Sequence, residues 1–361
     1  MYRGIYPSHT ASSKRLANYL KALHYEHHNP IVIPVFIKVK NNYLDFIYSF
    51  LIPVLGFFKI LRNGGSISVV FVYGPGWIFK LAAVTASKIL GKPVATELNE
   101  KPYSIHGEGR REKYLKHFRF LNRKCLENIV FPFFDGFLVI SEPLVEYVRK
   151  LGKNTAVISK IPILVDIDFY QKMIEKPDCH IPYIINTAAL NNHKDGIVNV
   201  FKAFARVVNS GINLHFYLTS RAAPRLLIDD INNIISINNL EKRVIFLNEL
   251  DEDALLSYQA YCCMVVLNKV DTEQNRFNFA TKLGEYMALG KPIITTSIGE
   301  VKHYLKDNVS CLYVDPSNEI EISDAIIRLL KDESLSSMIG DNGRTIAEKQ
   351  FDVKSQSKRI S

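Results

Sequence analysis

The sequence predicts an α/β protein made of two Rossmann-like domains with parallel sheets, and three observations carry that prediction. At 361 residues the chain exceeds what one ordinary core organises, so two domains of similar size follow. Short β-branched runs alternate with stretches of helical period in both halves. One run, Ser66 to Glu97, is a complete βαβ unit. SISVVFVY reads as a strand, Trp77 to Leu90 as a helix closed by Gly91-Lys92-Pro93, and Val94 to Glu97 as the next strand. A strand, helix, strand succession of this length makes a parallel pair with a crossover.

The first half supplies its elements in order. Ser8 to Ser12 reads as a loop and cap, and Leu16, Tyr19, Leu20 and Leu23 recur at helical spacing after Ser13. Pro30 to Val39 reads as a strand. Leu44 to Leu61 is the most apolar stretch, but Asp45, Pro53, Gly56 and Lys59 interrupt it, which excludes a transmembrane helix. It is expected as a buried helix, with an interfacial helix as the alternative. Gly74-Pro75-Gly76 lacks the third glycine of a dinucleotide fingerprint. Glu97 and Glu100 stand in the loop after a parallel strand, where open α/β sheets bind ligands. They are candidates for orienting an acceptor hydroxyl, with solvated loop charges as the other reading. His106 to Glu127 holds seven cations between Arg110 and Lys124, interleaved with Tyr114, Leu115, Phe118 and Leu121. A basic amphipathic helix of this kind suits anionic lipid or a pyrophosphate-linked acceptor. Gly136 to Ser141, Glu142 to Leu151 and Thr155 to Ile161 complete a strand, a helix and a strand. Asp166-x-Asp168 has metal-binding spacing but falls at the domain boundary, so no metal site is expected there.

Charge separates the halves. Residues 1–175 hold 24 Lys and Arg against 13 Asp and Glu, whereas the remainder holds 21 against 23. A basic first half calls for an anionic partner. Nucleic acid would explain the charge but not the clustering of site cues at strand ends, and none is expected. Five scattered cysteines without metal-ligand spacing fit reduced thiols in a cytoplasmic protein, and no signal peptide is expected from the opening residues. The domains are expected at 1–174 and 175–340, with Glu175 to His180 as linker and 341–361 as a helix or tail packing back towards the first.

In the second half, Tyr183 to Ala189 reads as a strand, and Leu190 to Gly196 as a turn before a helix over Ile197 to Asn209. Leu214–Thr219 and Val244–Leu247 are strands, with a helical region from Arg225 to Ser236 between them. A helix over Asp251–Ala260 and a strand over Cys262–Leu267 follow. Asn275 to Ala280 reads as loop, Thr281 as an N-cap, and Lys282 to Leu289 as a helix ended by Gly290 and Pro292. Lys282 and Glu285, three apart, share a face near that helix's N-terminus, where free amide groups suit a diphosphate. A carboxylate one turn further in can accept ribose hydroxyls. Leu312–Asp315, Ile320–Lys331 and Leu335–Phe351 close the chain.

The stretch Glu285-Tyr286-Met287-Ala288-Leu289-Gly290-Lys291-Pro292-Ile293-Ile294 resembles the donor-binding segment of family 4 (group 1) glycosyltransferases, retaining enzymes of the GT-B fold. The resemblance extends over nearly the whole chain. It implies two facing Rossmann-like domains with an interdomain cleft, and a sugar moved from a nucleoside-diphosphate sugar to a glycan or polyprenyl-pyrophosphate-linked acceptor. It also implies a place in capsule, exopolysaccharide or lipopolysaccharide synthesis. Residue by residue, it implies donor contacts for Glu285, Lys282, Lys194, Thr281 and Arg15, the last matching an Arg in the first helix. Two positions depart from the pattern. Phe277 stands where the family carries its first Glu, and Ala189 where it carries an Arg, so Lys282 or Arg276 takes over that cation's part. No cofactor and no metal are implied, since helix dipole, amide groups and Lys194 stabilise the leaving diphosphate. The protein is then expected in the cytoplasm, with residues 110–124 against the inner face of the cell membrane. The rival readings are a nucleotide-sugar epimerase of the same fold and a non-catalytic carbohydrate- or nucleic-acid-binding protein.

Overall fold

The computed structural model describes residues 11–32, 42–74, 76–102, 110–220, 222–247 and 250–361. They form two compact units, residues 1–162 with 356–361, and residues 163–355. The division falls ahead of the linker expected at Glu175 to His180. Backbone hydrogen bonds give the reason: Val165 N–H donates to Phe351 O (2.8 Å) and Val353 N–H to Val165 O (3.0 Å), which binds the exit segment to the second unit. The stretch expected as a separate tail is also divided, and only its last six residues belong to the first unit.

The first unit contains α1 (Ala11–Tyr25), α2 (Asn42–Arg62), β1 (Val70–Val72), α3 (Trp77–Ile89), β2 (Val94–Leu98), α4 (Arg110–Cys125), β3 (Gly136–Val139), α5 (Glu142–Leu151) and β4 (Val157–Lys160). The strands lie in the order β1-β2-β3-β4 and every pairing is parallel. The expected βαβ unit is thus β1, α3 and β2. Most of the strand expected at Pro30 to Val39 lies outside the described residues, as do 1–10 and 103–109. Phe131 meets Phe134 and Phe137 edge to face, Phe134 and Phe137 are tilted against each other, and all three are buried at the start of β3. Over residues 51–62, α2 is buried on one face only. Ile52 and Ile60 are enclosed, whereas Leu51, Val54, Leu55 and Phe58 are exposed, so the buried helix expected here turns one apolar face to solvent over this part. No described helix is long and apolar enough to cross a membrane.

The second unit runs α6 (Ile167–Tyr170), β5 (Tyr183–Asn186), α7 (Asn192–Asp195), α8 (Ile197–Asn209), β6 (His215–Leu218), α9 (Arg225–Ile237), β7 (Val244–Phe246), α10 (Glu252–Tyr261) and β8 (Val265–Leu267). It continues with α11 (Glu273–Phe277), α12 (Thr281–Ala288), β9 (Ile293–Thr295), β10 (Leu312–Tyr313), α13 (Glu319–Lys331) and α14 (Glu333–Gln350); α15 (Val353–Ile360) ends the chain. Side-chain caps open several helices: Asp251 accepts from Ala254 N–H, Asn318 from Ile320 and Glu321 N–H, and Asp332 from Leu335 N–H. Two three-stranded parallel sheets, β5-β6-β7 and β8-β9-β10, meet where Cys263 N–H donates to Tyr183 O (2.9 Å) and Ile184 bridges Met264. The spatial order is therefore β7-β6-β5-β8-β9-β10, which reverses direction between β5 and β8. Phe201, Phe204 and Phe216 fill the core on the α8 side with Ile184, Leu218 and Ile326.

Helix α14 lies directly on the Gly-Lys-Pro turn that ends α12. A Cβ at Gly340 would stand 2.2 Å from the Gly290 carbonyl oxygen, so no side chain fits there without moving backbone. Gly340→Ala should destabilise the protein by about 1–3 kcal/mol, the usual range for overpacking, as read by urea unfolding. An unchanged midpoint would show that α14 can shift away at little cost.

Candidate functional site

In an open parallel sheet, ligands bind outside the carboxyl ends of the strands at the point where strand order reverses. Here that point lies between the loops leaving β5 and β8. The β5 loop carries Lys194. Asn191 caps α7 by accepting from Lys194 N–H (2.8 Å), and Gly196 follows in the left-handed region with φ +48°. Two donors from the β8 loop fix the Lys194 carbonyl: Asn275 Nδ2 (2.7 Å) and Val270 N–H (3.1 Å). Asn275 gives its second amide hydrogen to Val270 O (2.8 Å). Asn268, buried at the end of β8, donates to Gly196 O (3.2 Å) and Pro316 O (3.1 Å). Lys269 pairs with Asp195 across the same two loops. The loops are thus one hydrogen-bonded body, which holds the backbone of Lys194 still while its side chain stays half-buried.

Helix α12 follows on the β8 side. Its N-cap is Ala280, without a side-chain hydrogen bond, and Thr281 is the first helical residue, which corrects the expected cap. The loop expected from Asn275 to Ala280 is partly helical, because Thr272 accepts from Asn275 N–H (3.2 Å) and so starts α11. Lys282 Nζ donates to Glu285 Oε2 at 2.9 Å, so the two residues placed on one face by spacing form a pair. Gln259, 3% exposed on α10, donates Nε2 to the same carboxylate oxygen (3.2 Å). Tyr170 also bonds to Glu285, and burial followed by that carboxylate pushes its hydroxyl well above the ordinary tyrosine range. Tyr286 OH meets Thr187 Oγ1 at 3.1 Å and ties α12 to the exit of β5. Arg276 is exposed and committed to Asp271 through two hydrogen bonds of 2.6 and 2.7 Å.

In the first unit, Arg15 and Glu97 are brought together, not turned to solvent. The Arg15 Nε donates to Glu97 Oε1, and the residues are 5% and 7% exposed. Tyr19 OH accepts from Arg15 Nη2 (2.8 Å) and donates to Glu97 Oε1 (2.8 Å), and Pro162 O accepts from Arg15 Nη1 (3.3 Å). Burial alone would lower the Arg15 pKa, but Glu97 overrides it and holds the guanidinium above its ordinary value. An acceptor-side role for Glu97 and a donor-side role for Arg15 therefore do not match this placement, because each is the other's buried partner. Glu100 is exposed in the loop after β2. Lys80 was not singled out by the sequence. It lies on the buried face of α3, donates to Thr96 Oγ1, and sits over the Phe134 ring at 5.8 Å. Burial pushes its ammonium down to about 8, with Glu97 pulling the other way. Sequence reading also missed Gln259, Asn275 and Tyr170. The polar residues closing β8 were the available signal for Asn275, and long-range packing was required for the other two.

Among solved structures, the Anabaena protein HepE in complex with UDP is similar to this chain with a TM-score of 0.71 and 16% identity. The match covers 99% of this chain and 97% of that one. The lipopolysaccharide outer core galactosyltransferase WaaB in its apo form is similar with a TM-score of 0.63 and 15% identity, covering 99% and 96%. The fold is GT-B, that of a class of glycosyltransferases. More particularly, residues 181–332 match the family described as "Glycosyl transferases group 1". An uncharacterised glycosyltransferase of Methanocaldococcus jannaschii is 26% identical over 119 residues, 33% of this chain. The aligned part spans only 32% of that relative's length.

The buried ammonium of Lys80 has a measurable consequence. Between pH 8 and 10.5 the unfolded chain holds a proton at this residue that the folded chain has lost. Its contribution to stability therefore rises with pH across that window, by up to about 1.4 kcal/mol per pH unit. Compared with Lys80→Met, which cancels other titrations, wild type should gain relative stability from pH 8 to pH 10. A stability difference independent of pH would mean that Lys80 is not buried as a cation.

Proposed function

We propose that this protein is a retaining glycosyltransferase that takes its sugar from a nucleoside-diphosphate sugar, with UDP as the nucleotide. The acceptor is a glycan or polyprenyl-pyrophosphate-linked saccharide in surface-polysaccharide synthesis. The observation that carries the reading is the Lys282–Glu285 pair beside the reversal of strand order, next to the clamped loop of Lys194. The pair is a closed form of a donor site. On binding, Lys282 leaves Glu285 for the diphosphate, and the freed carboxylate accepts the ribose hydroxyls. Lys194 and the uncapped amide groups at the start of α12 supply the remaining positive field where charge develops on the leaving group. These groups make the reaction independent of a metal ion. Gln259 and Tyr170 keep Glu285 aimed whether or not Lys282 is in place.

On the acceptor side, Glu100 at the exposed end of β2 orients the attacking hydroxyl, while Arg15 and Glu97 hold the strand end beneath it. Helix α4 presents Arg123 and Lys124 beside Phe120, with the guanidinium 5.5 Å and the ammonium 5.8 Å from that ring centre, and both cations also lie against Glu127 at 3.6 and 3.8 Å. This basic and aromatic face serves the pyrophosphate of the acceptor or the anionic surface that carries it. The UDP bound by HepE and the lipopolysaccharide substrate in WaaB's name support the same assignment.

Calorimetric titration with UDP and with uridine tests the donor site. Lys194→Ala should weaken UDP by roughly ten- to a hundredfold, as loss of a charge-assisted contact does, and leave uridine nearly unchanged. Glu285→Ala should weaken both. Equal losses for the two ligands in Lys194→Ala would remove Lys194 from the diphosphate. With UDP-glucose and acceptor extracts, release of UDP with a new glycoside is expected, and an isomerised sugar nucleotide would instead make the protein an epimerase.

A further inference from the structure

Helix α2 presents a face that the proposed reaction leaves unused. Leu51, Val54, Leu55 and Phe58 are 46%, 49%, 46% and 62% exposed. Their spacing places them within one stripe of about 100° on the helix surface, running roughly 10 Å along its axis. Arg62, one turn beyond Phe58 and exposed, continues the same line, and Lys59 flanks it. On the opposite side Ile52, Gly56 and Ile60 are buried and the helix packs against α3. The helix is therefore anchored by one apolar face and offers a second to solvent.

We propose that this stripe docks onto an anionic lipid bilayer, with the four apolar side chains below the headgroups and Arg62 at the level of the phosphates. Charge selects this occupant over a second copy of the chain. Counted by compact unit, the first holds 25 Lys and Arg against 10 Asp and Glu, and the second 20 against 26. Pairing two copies through α2 would bring two strongly positive units together, whereas an anionic surface is attracted over its whole extent. The stripe is aliphatic with one phenyl ring and terminates in an arginine, the pattern of a helix lying in the interface with its cation reaching to the headgroups. The inference stands on exposure and charge and does not depend on the donor-site reading.

Co-sedimentation with phosphatidylglycerol–phosphatidylcholine vesicles and with pure phosphatidylcholine vesicles tests it, using three proteins of full length. Wild type should sediment with the anionic vesicles at low salt. Leu51→Gln/Leu55→Gln/Phe58→Gln should lose at least about tenfold in partitioning, since each buried side chain is worth about that factor. Arg119→Glu/Lys124→Glu should lose less than the triple variant at high salt, where the charge term is screened. All substituted positions but Arg119 are exposed, and circular dichroism and thermal unfolding confirm that the variants fold. As a direct probe, brominated lipid should quench the added fluorescence of Phe58→Trp, read against wild type, whose single tryptophan is Trp77. The proposal is overturned if wild type fails to sediment, if the triple variant sediments equally, or if the added emission is not quenched. A wild-type dimer that the triple variant dissolves would give the face to a second copy and overturn it as well. Unchanged UDP affinity in the triple variant separates this surface from the donor site, and absent UDP binding in wild type would count only against the latter.

Discussion

The hydrogen bond from Cys263 to Tyr183, with the parallel bridge of Ile184 to Met264, joins two three-stranded sheets into one, and the place of the site follows from it. Had β8 paired at either outer edge, the loops of Lys194 and Asn275 would have left the sheet far apart. Because β5 and β8 are neighbours, their carboxyl ends open side by side and their helices leave on opposite faces. The remaining polar contacts then become short-range matters. Asn275 reaches the Lys194 carbonyl, Asn268 reaches Gly196, and Thr187 reaches Tyr286. These side chains convert a topological crevice into a rigid one, and rigidity is what a site needs to hold charge where a leaving group develops it.

Much of this organisation is written locally and so could be read from the residues. The βαβ unit over β1, α3 and β2, the alternation in the second half, and the Gly-Lys-Pro stop after α12 all depend on neighbours in sequence. So does the Lys282–Glu285 pair, since a spacing of three on a helix fixes proximity. What escaped reading depends on distant partners. Arg15 and Glu97 each looked open to a ligand, because nothing near either in sequence supplies the other. The start of α12 differs by one residue because threonine is a good cap in general, while here Thr272, nine residues before Thr281, does the capping for α11. In α2 the apolar residues continue all round the helix, and composition cannot tell which face meets protein.

The charge of the chain is divided by compact unit more sharply than by halves of the sequence. Moving the boundary to Pro162 takes Asp166, Asp168 and Glu175 out of the first unit, and the final six residues add Lys358 and Arg359 to it. The basic unit and the acidic unit thus have different electrostatic tasks. A positive field over the first favours the long-range approach of anions, whereas the second, with 20 Lys and Arg against 26 Asp and Glu, has no such net field, and cations there act by close contact.

Lys282 and Glu285 are paired with each other, with Gln259 on the same carboxylate oxygen. In the donor site proposed above, the two ends of a sugar nucleotide would therefore meet one shared obstacle. A nucleoside must separate the pair to reach Glu285, and a diphosphate must separate it to reach Lys282, each for the sake of a single new contact. The whole molecule separates it once and satisfies both residues. Fragments of the donor will accordingly bind less well, taken together, than the intact donor does. Such a site would discriminate against free phosphate and free nucleoside without any group built to repel them.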